Sequence, residues 1–492
     1  MKKLLFLSVL SCFSLGMNAA DFYVSKTGND ANTGADWDNS KLTISATVLV
    51  ANTNGITDVD NIYIKEGTYN EKILLTLNSG STNKSDKISL WGGFAASNTG
   101  VTKVRDIIAY PTYIDGTGLG TNSGPGLSVS RPSDTADGLI IQNWTATGTS
   151  QGTPAGLSLG DAASVVSNCI IRSNTHTSSN AKGSAAGVYI TAGTMQDCQI
   201  YDNIMNGGGV AMGGGIQMLG GTVNRCIIYN NSAQSAGGGI YVGKVTTSYA
   251  VADYLALGAN VTISNSLIYN NAKHGLLVGL ITPAGSKTVT LTNNTIVNNE
   301  IPCSFAGGVS NTLLFATNNI FSNNGGVETF NELSSFTYNA INVASVTQTG
   351  NVALANSNTA VGFVSPSTVV GKSADASVTS ADWRLATGSV CLDAGTGSGL
   401  GTDIAGNPRV SGAAIDLGAY ESSLTTGVGS IIVENNVYVS NGQLIVTGVS
   451  AYSVYNAQGV EVAKATSRDR ISLRPGTYMV KVGSKTQKIF IK

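Results

Sequence analysis

The chain reads as short segments in which apolar and polar residues alternate, and the alternation recurs along most of its length. Six segments align without gaps: VVSNCIIRSNT from Val165, TMQDCQIYDNI from Thr194, TVNRCIIYNNS from Thr222, TISNSLIYNNA from Thr262, TLTNNTIVNNE from Thr290 and FATNNIFSNNG from Phe315. Their starts lie 29, 28, 40, 28 and 25 residues apart, and the longest spacing holds an inserted loop from about Val245 to Gly258. A weaker seventh copy runs from Gly138 to Gly148. Alternation of period two with β-branched residues predicts strands rather than helices. A repeat of this length predicts a solenoid in which each coil buries its core only against its neighbours.

The columns of the alignment predict what each position does. Stacking in register places equivalent side chains about 4.8 Å apart along the axis, so every column becomes a ladder. The seventh column, Ile171, Ile200, Ile228, Ile268, Ile296 and Phe321, is core. The tenth is Asn throughout: Asn174, Asn203, Asn231, Asn271, Asn299 and Asn324. Stacked amides can bond to one another and to turn backbone, so this column is expected to be a buried structural ladder. The fifth column, Cys169, Cys198, Cys226, Ser266, Asn294 and Asn319, reads as an inward stack of compact groups. Its cysteines act as small hydrophobes, and their side-by-side projection does not suit disulfides. Gly-rich turns such as Gly214-Gly215-Ile216 and Gly238-Gly239-Ile240 lead into a further strand. The open ends of such a stack need covering.

Composition narrows the class. Hydrophobic residues make up 42% of the 492 positions, enough for a packed core, while only 12% are charged. The net charge of −1 gives no electrostatic pull towards nucleic acid or anionic lipid. Residues 1–20 have the form of a signal peptide: Lys2 and Lys3, an apolar run from Leu4 to Leu15, then Ala19 and Ala20 before Asp21. Cys12 loosely resembles a lipoprotein cleavage box, but the apolar run continues past it. Without Cys12, five of the six cysteines remain, an odd number that no complete disulfide framework uses. The expected location is outside the cell or on its outer surface, and a monomer is expected.

Several motifs resemble known families. Asn323-Asn324-Gly325-Gly326 and Gly237-Gly238-Gly239-Ile240 look like repeats of bacterial surface β-helix proteins, a group that includes the pectate-lyase-like fold and the chlamydial polymorphic outer-membrane proteins. Tyr23-Val24, Gly28-Asn29-Asp30, Asn32-Thr33-Gly34, Trp37, Gly67-Thr68-Tyr69, Trp91-Gly92-Gly93-Phe94 and Ile114-Asp115-Gly116 resemble the opening module of these solenoids. Cys391 to Gly395, Asp403, Gly406 to Arg409 and Asp416 to Glu421 are similar to a closing module. After a linker from Leu424 to Gly429, Val454 to Gly459, Leu473 to Tyr478, Val480-Lys481-Val482 and Lys488-Ile489-Phe490 resemble the sorting domain of type IX secretion in Bacteroidetes. The resemblance implies an all-β chain: a right-handed parallel β-helix with its capping modules over 21–424, then a small β-sandwich over 425–492. It also implies passage through the outer membrane, with secretion machinery as partner of the C-terminal domain.

Chemistry is sparse. The eighth column, Arg172, Tyr201, Tyr229, Tyr269, Val297 and Ser322, places three successive Tyr on one outward face. Such a strip either contacts sugar rings or packs across coils to stabilise the sheet. Ligand-binding candidates are therefore Arg172, Tyr201, Tyr229 and Tyr269, with a glycan or another surface ligand as partner. Asp197, Asp202 and Arg225 are the weak catalytic candidates. In the resembled lyases carboxylates hold calcium and an Arg or Lys takes a proton, so calcium would be needed if the protein were a lyase. Otherwise no cofactor and no metal site is expected. Asp197 beside Arg225 also reads as an exposed ion pair worth under about 1 kcal/mol. The only His, His176 and His274, are expected to be solvated turn residues. The run Asp30, Asn32, Gly34 has Lys41 where a calcium loop needs Glu, so a turn-rich cap explains it better. Asp403, Arg409, Asp416 and Glu421 are expected to pin the closing module. Two classes stay open: a glycan-binding surface protein, and a polysaccharide lyase or hydrolase acting on acidic polysaccharide.

Overall fold

The computed structural model describes residues 20–53, 59–75, 87–122, 124–147, 153–177, 185–207, 211–243, 259–279, 287–305, 314–328, 335–343, 345–397 and 401–422, and most of 437–491. Residues 1–19, the loop from Val245 to Gly258 and the segment from Leu424 to Gly429 lie outside the described residues. The chain divides into two compact units, one ending at Ser423 and one starting at Leu424.

The first unit is a right-handed parallel β-helix. Sheet I has 11 strands, from Asp21–Val24 through Val165–Ser167, Thr194–Gln196 and Gly221–Asn224 to Ser335–Thr337. Sheet II also has 11, from Gly67–Tyr69 through Ile170–Arg172, Gln199–Tyr201, Ile227–Tyr229 and Leu267–Tyr269 to Val352–Leu354. An 8-stranded sheet III and a 5-stranded sheet IV complete part of the coils. Neighbouring strands are parallel and in register, with Thr194 beside Thr222 and Tyr201 beside Tyr229. The solenoid is longer than the six aligned repeats. The seventh copy starts at Thr135, which pairs with Val165, rather than at Gly138. A further coil, Phe336-Thr337-Tyr338-Asn339-Ala340-Ile341-Asn342, follows the last repeat.

Each coil turns twice on a single residue of positive φ. The fourth column (Asn168, Asp197, Arg225, Asn265, Asn293, Asn318, then Tyr338) separates sheet I from sheet II, and the ninth (Ser173, Asp202, Asn230, Asn270, Asn298, Asn323) ends sheet II. All have φ between 49° and 60°. Asn is the non-glycine residue best suited to that region, which explains its abundance at both corners. The residue after each corner points inward, and these are the fifth and tenth columns.

Both inward columns are hydrogen-bonded along the axis. Asn174 donates its backbone N–H and Nδ2 to Asn203 Oδ1, at 3.1 and 3.0 Å, and the pattern repeats to Asn231, Asn271, Asn299 and Asn324. Each Nδ2 also reaches a carbonyl of the preceding coil, as Asn203 does to Ile171 O at 2.9 Å. Upstream, Trp144 fills the column: its N–H bonds Asn174 Oδ1 at 3.0 Å, and its indole N–H bonds Ile114 O at 3.1 Å. Downstream, Asn324 Nδ2 ends on the Glu328 carboxylate. The fifth column continues past Asn319 to Asn339 and Asn351. All five described cysteines are buried and free.

The upstream end is covered by a helix, Ile44–Ala51, which the alternation pattern did not predict. It places Ile44, Val48 and Ala51 in the solenoid core. Its first N–H groups are satisfied by Glu71, whose carboxylate accepts from Ile44 and Ser45 at 2.9 Å each. Negative charge at a helix N-terminus is stabilising. Asp30 accepts from Leu42 and Thr43 N–H, so it serves this entry to the helix. Lys41 Nζ donates to the carbonyls of Asp30 and Asn32 at 2.9 and 2.7 Å, filling the loop with its own cation.

The second unit has a 3-stranded and a 4-stranded antiparallel sheet, consistent with a small β-sandwich. Leu444, Val446, Tyr452, Val454, Tyr478, Val480, Ile489 and Ile491 form its core. Tyr478 donates its hydroxyl to Arg474 O at 2.8 Å.

Candidate functional site

Strand alternation sends the sixth and eighth columns of sheet II outward, and their exposure changes abruptly along the axis. In the sixth column Gln199 is exposed, Ile227 is half-buried, and Leu267 is 2% exposed. In the eighth, Tyr201 and Tyr229 are half-buried, whereas Tyr269 is 6% exposed. The cover is the closing module, whose Val361, Phe363, Val378, Trp383, Leu385, Leu417 and Ala419 pack on Leu267, Tyr269, Val297 and Ile320.

The module grips both corners of the sheet. On one side Arg409 Nε donates to Asn265 Oδ1 at 2.9 Å, and Asn318 Nδ2 donates to Thr396 O at 2.8 Å. On the other, Asn270 Nδ2 reaches Val369 O at 2.7 Å and Asn298 Nδ2 reaches Ser367 O at 2.9 Å. Its leading edge bonds one coil further upstream: Ser373 N–H to Asn230 Oδ1 at 2.8 Å and Lys372 Nζ to Asn230 O at 2.6 Å. Inside the module, Asp403 accepts from Glu421 N–H, Glu421 from Asp416 and Ser411 N–H, and Asp416 from Asp393 N–H. Burial draws the Arg409 guanidinium down to about 10, against the pull of Asp403, Glu421 and Asp416.

Upstream of this wall, sheet II is open over the coils of Arg172, Tyr201 and Tyr229, and its eighth column forms a connected line back through Gln142 to Asp115, which is buried. Asp115 accepts from Gln142 Nε2 at 2.7 Å; Arg172 Nε donates to Gln142 Oε1 at 2.9 Å; Arg172 Nη1 donates to the Tyr201 hydroxyl at 2.9 Å. The rings then stack: Tyr201 on Tyr229 at 4.8 Å, Tyr229 on Tyr269 at 5.1 Å, and Tyr269 against Trp383 at 5.3 Å. The interplanar angles are 17° and 11° for the two Tyr pairs. Rings stacked along the axis spend their faces on one another. They offer solvent their edges and hydroxyls, and the stacking is the cross-coil packing that was one of the two readings of this column. Tyr269 leaves the binding set altogether, since its hydroxyl donates to Val378 O at 3.1 Å beneath the module. The Tyr229 hydroxyl and Arg172 Nη2 have no hydrogen-bond partner among the described residues, so they remain available.

Charged residues frame the strip. At one corner Arg225 holds both oxygens of Asp197, each at 2.7 Å. At the other, Asp202 accepts from Asn230 Nδ2 at 2.6 Å and lies 3.7 Å from Lys372 Nζ. Burial lowers the pKa of Lys372, opposed by Asp202. Asp197 and Asp202 lie five residues apart on opposite corners, on the order of 15 Å along a strand. Paired glycosidase carboxylates stand about 5–9.5 Å apart. Among the described residues no group of three or more His, Cys, Asp or Glu could hold a metal ion. His176 is fully buried in sheet IV rather than solvated, and burial lowers its pKa to about 4. His274 is half-buried, and burial with neighbouring Lys273 lowers its pKa.

Gln142 and Asp115 belong to the eighth column once the seventh copy starts at Thr135, so a correct register would have found them. Lys372, Ser373 and Trp383 carry no repeat signal and are brought to the strip only by the fold of the module.

The fold and this strip define a capped parallel β-helix with one open stretch of polar and aromatic sheet face. Residues 122–358 match the family described as "Right handed beta helix region". Among solved structures, one titled "The complex structure of XylC with xylose" is similar at 9% identity, covering 68% of this chain and 86% of that chain, with a TM-score of 0.26. No curated protein matches the chain.

Proposed function

We propose that the protein is a secreted or cell-surface glycan-binding β-helix whose contact surface is the open strip of Arg172, Tyr201 and Tyr229, and that its C-terminal unit directs export by a type IX-like route. The observation that carries the binding reading is the row of outward polar groups on a rigid stack: Arg172 bonded to Tyr201, and Tyr201 stacked on Tyr229. A sugar ring offers hydroxyls for the Tyr hydroxyls and the free Arg172 nitrogen, and C–H groups for the ring edges. Stacking removes most of the conformational freedom these side chains would otherwise lose on binding. Ile170, Gln199 and Ile227 extend the same open face. The export reading rests on the sequence resemblance of the C-terminal domain.

A lyase or hydrolase reading has less support, because both Asp197 oxygens are bonded to Arg225 and Asp202 stands on the opposite corner. The test is a glycan array read with the parent and with a Tyr201→Phe/Tyr229→Phe variant. Phe keeps the stack and removes both hydroxyls, so the reading expects parent binding and a large loss in the folded variant. Equal signals from both would remove the strip from consideration.

A further inference from the structure

We propose that the chain is cut between Ala19 and Ala20, and that the α-ammonium group this exposes on Ala20 pairs with the buried carboxylate of Asp60; this rests on the export reading of the leader and not on the glycan reading. Asp60 is the second residue of the strand Val59–Lys65 in sheet I. Alternation turns it inward with Ile62 and Ile64, and all three are 0% exposed. A carboxylate on the core side of a strand has lost its hydration and must be bonded there. The nitrogen of Ala20 donates to Asp60 Oδ1 at 3.3 Å. As a peptide nitrogen it brings one proton and no charge. As a chain terminus it brings three protons and a full positive charge to the same place, which a buried carboxylate favours.

The position of that nitrogen is fixed by its neighbours. Ala20 O accepts from Asn61 N–H at 2.8 Å, which carries the parallel pairing of Asp21–Val24 with the next strand one residue further back. The Ala20 side chain packs on the solenoid core. Asp21 is held by Asn61 Nδ2 at 3.0 Å, the Tyr63 hydroxyl at 3.2 Å and Lys103 Nζ at 2.6 Å. A chain starting at Asp21 would lose both the acceptor of Asn61 N–H and the donor to Asp60, whereas a chain starting at Ala20 keeps both. Ala19 supplies the small residue that a signal peptidase needs before the cut. Hydrolysis of the Ala19–Ala20 amide consumes one water: Ala19 leaves with a new carboxylate, and Ala20 keeps the nitrogen, which takes up a proton. The cut thereby adds an ion pair at the edge strand of sheet I.

The full chain with its leader is expressed in a bacterium that has a signal peptidase, and the first residue of the product is read by mass spectrometry of its N-terminal peptide. Ala20 is expected. A cut that leaves Asp21 or any other residue first would overturn the inference while leaving the export reading standing; a chain that keeps its leader would overturn both. A second arm compares the thermal midpoints of the chain 20–492 with and without a Gly-Ser extension before Ala20, each also as Asp60→Asn. The extension keeps the N–H and removes the charge, so the unextended protein should melt several degrees higher, and Asp60→Asn should erase that difference. Equal midpoints for the two Asp60 proteins, or a difference that survives Asp60→Asn, would overturn the ion pair. Should the Asp60→Asn proteins fail to fold, amine labelling of the unextended protein decides. Its Ala20 amine should react about ten-fold more slowly in the native state than in denaturant, because the ion pair holds it protonated; equal rates would overturn the pairing.

Discussion

Asn231 Oδ1 accepts two hydrogen bonds from Asn203, one from its backbone N–H at 3.1 Å and one from Nδ2 at 3.0 Å. Both side chains are fully buried. Asn231→Ala therefore leaves the backbone N–H of Asn203 without its acceptor, takes one of three acceptors from Asn203 Nδ2, and removes the Nδ2 donor that Ile200 O, Tyr229 O and Asn271 Oδ1 accept from. Each stranded buried group costs about 1–3 kcal/mol, so the variant should unfold at clearly lower denaturant concentration than the parent. An unchanged midpoint would show that the ladder contributes nothing to stability.

Burial raises three carboxyl groups to about 7: Glu328 at the end of the Asn ladder, Asp134 beside Arg131, and Glu421 in the closing module. In the unfolded chain such groups titrate near 4. Between those values the native state holds protons that the unfolded chain has lost, so their contribution is full below about pH 4 and disappears as pH rises through about 7. His176, lowered to about 4 by burial, and His274, also lowered, work in the opposite direction, on the acid side. The melting temperature should fall from pH 6 to pH 8, and Glu328→Gln should make that fall shallower. A rise over the same interval would contradict the assignment.

The five described cysteines are buried, and burial raises the thiol of Cys391 to about 12 and those of Cys198 and Cys303 well above their ordinary value. The reactive species is the thiolate, so native protein should react negligibly with an aromatic disulfide reagent at pH 8. All five should titrate in denaturant. Cys226→Ser should be tolerated, because Ser266 already occupies the same column one coil on and donates to Ser264 O at 2.8 Å. Rapid reaction of the native protein would show that the coils open locally.

The ladders were legible in the sequence because a solenoid writes the same contact once per coil, and a column of identical residues is the contact itself. Tyr338-Asn339 carried the same signal more faintly, with Tyr where Asn usually takes the left-handed corner. The state of the strip was not legible. Tyr201 and Tyr269 look equivalent in the alignment, yet Tyr269 is sealed by a residue 109 positions downstream. Ring orientation was hidden for a related reason: register fixes where side chains start, while stacking fixes which way they face. His176 looked like a turn residue because its strand, Thr175–His176, is only two residues long.

Removing residues 425–492 should leave the β-helix able to fold, since residues 1–423 form a compact unit of their own whose described core is drawn from that unit. If the C-terminal unit is the export signal, the truncated protein should accumulate in the periplasm of a host with the secretion route. Its appearance outside the cell at parental levels would overturn that reading.

The strip itself makes the sharpest contrast, because neighbouring residues of one stack should fail in different ways. Tyr269→Ala removes a ring packed between Tyr229 and Trp383 and strands the Val378 carbonyl under the closing module. A large aromatic lost from a core costs roughly 3–5 kcal/mol, so this variant should be markedly destabilised. Tyr229→Phe removes only a hydroxyl that has no partner among the described residues. Its stability should match the parent within about 0.5 kcal/mol, since no buried bond is broken. Binding should respond in the reverse sense: Tyr229→Phe should weaken glycan binding several-fold, whereas Tyr269→Phe, which keeps the packing, should leave it unchanged. Denaturation and binding measured on these three variants separate support from contact. Were Tyr269→Phe to lose binding while Tyr229→Phe kept it, the ligand would have to lie beneath the module, and the open strip would not be the site.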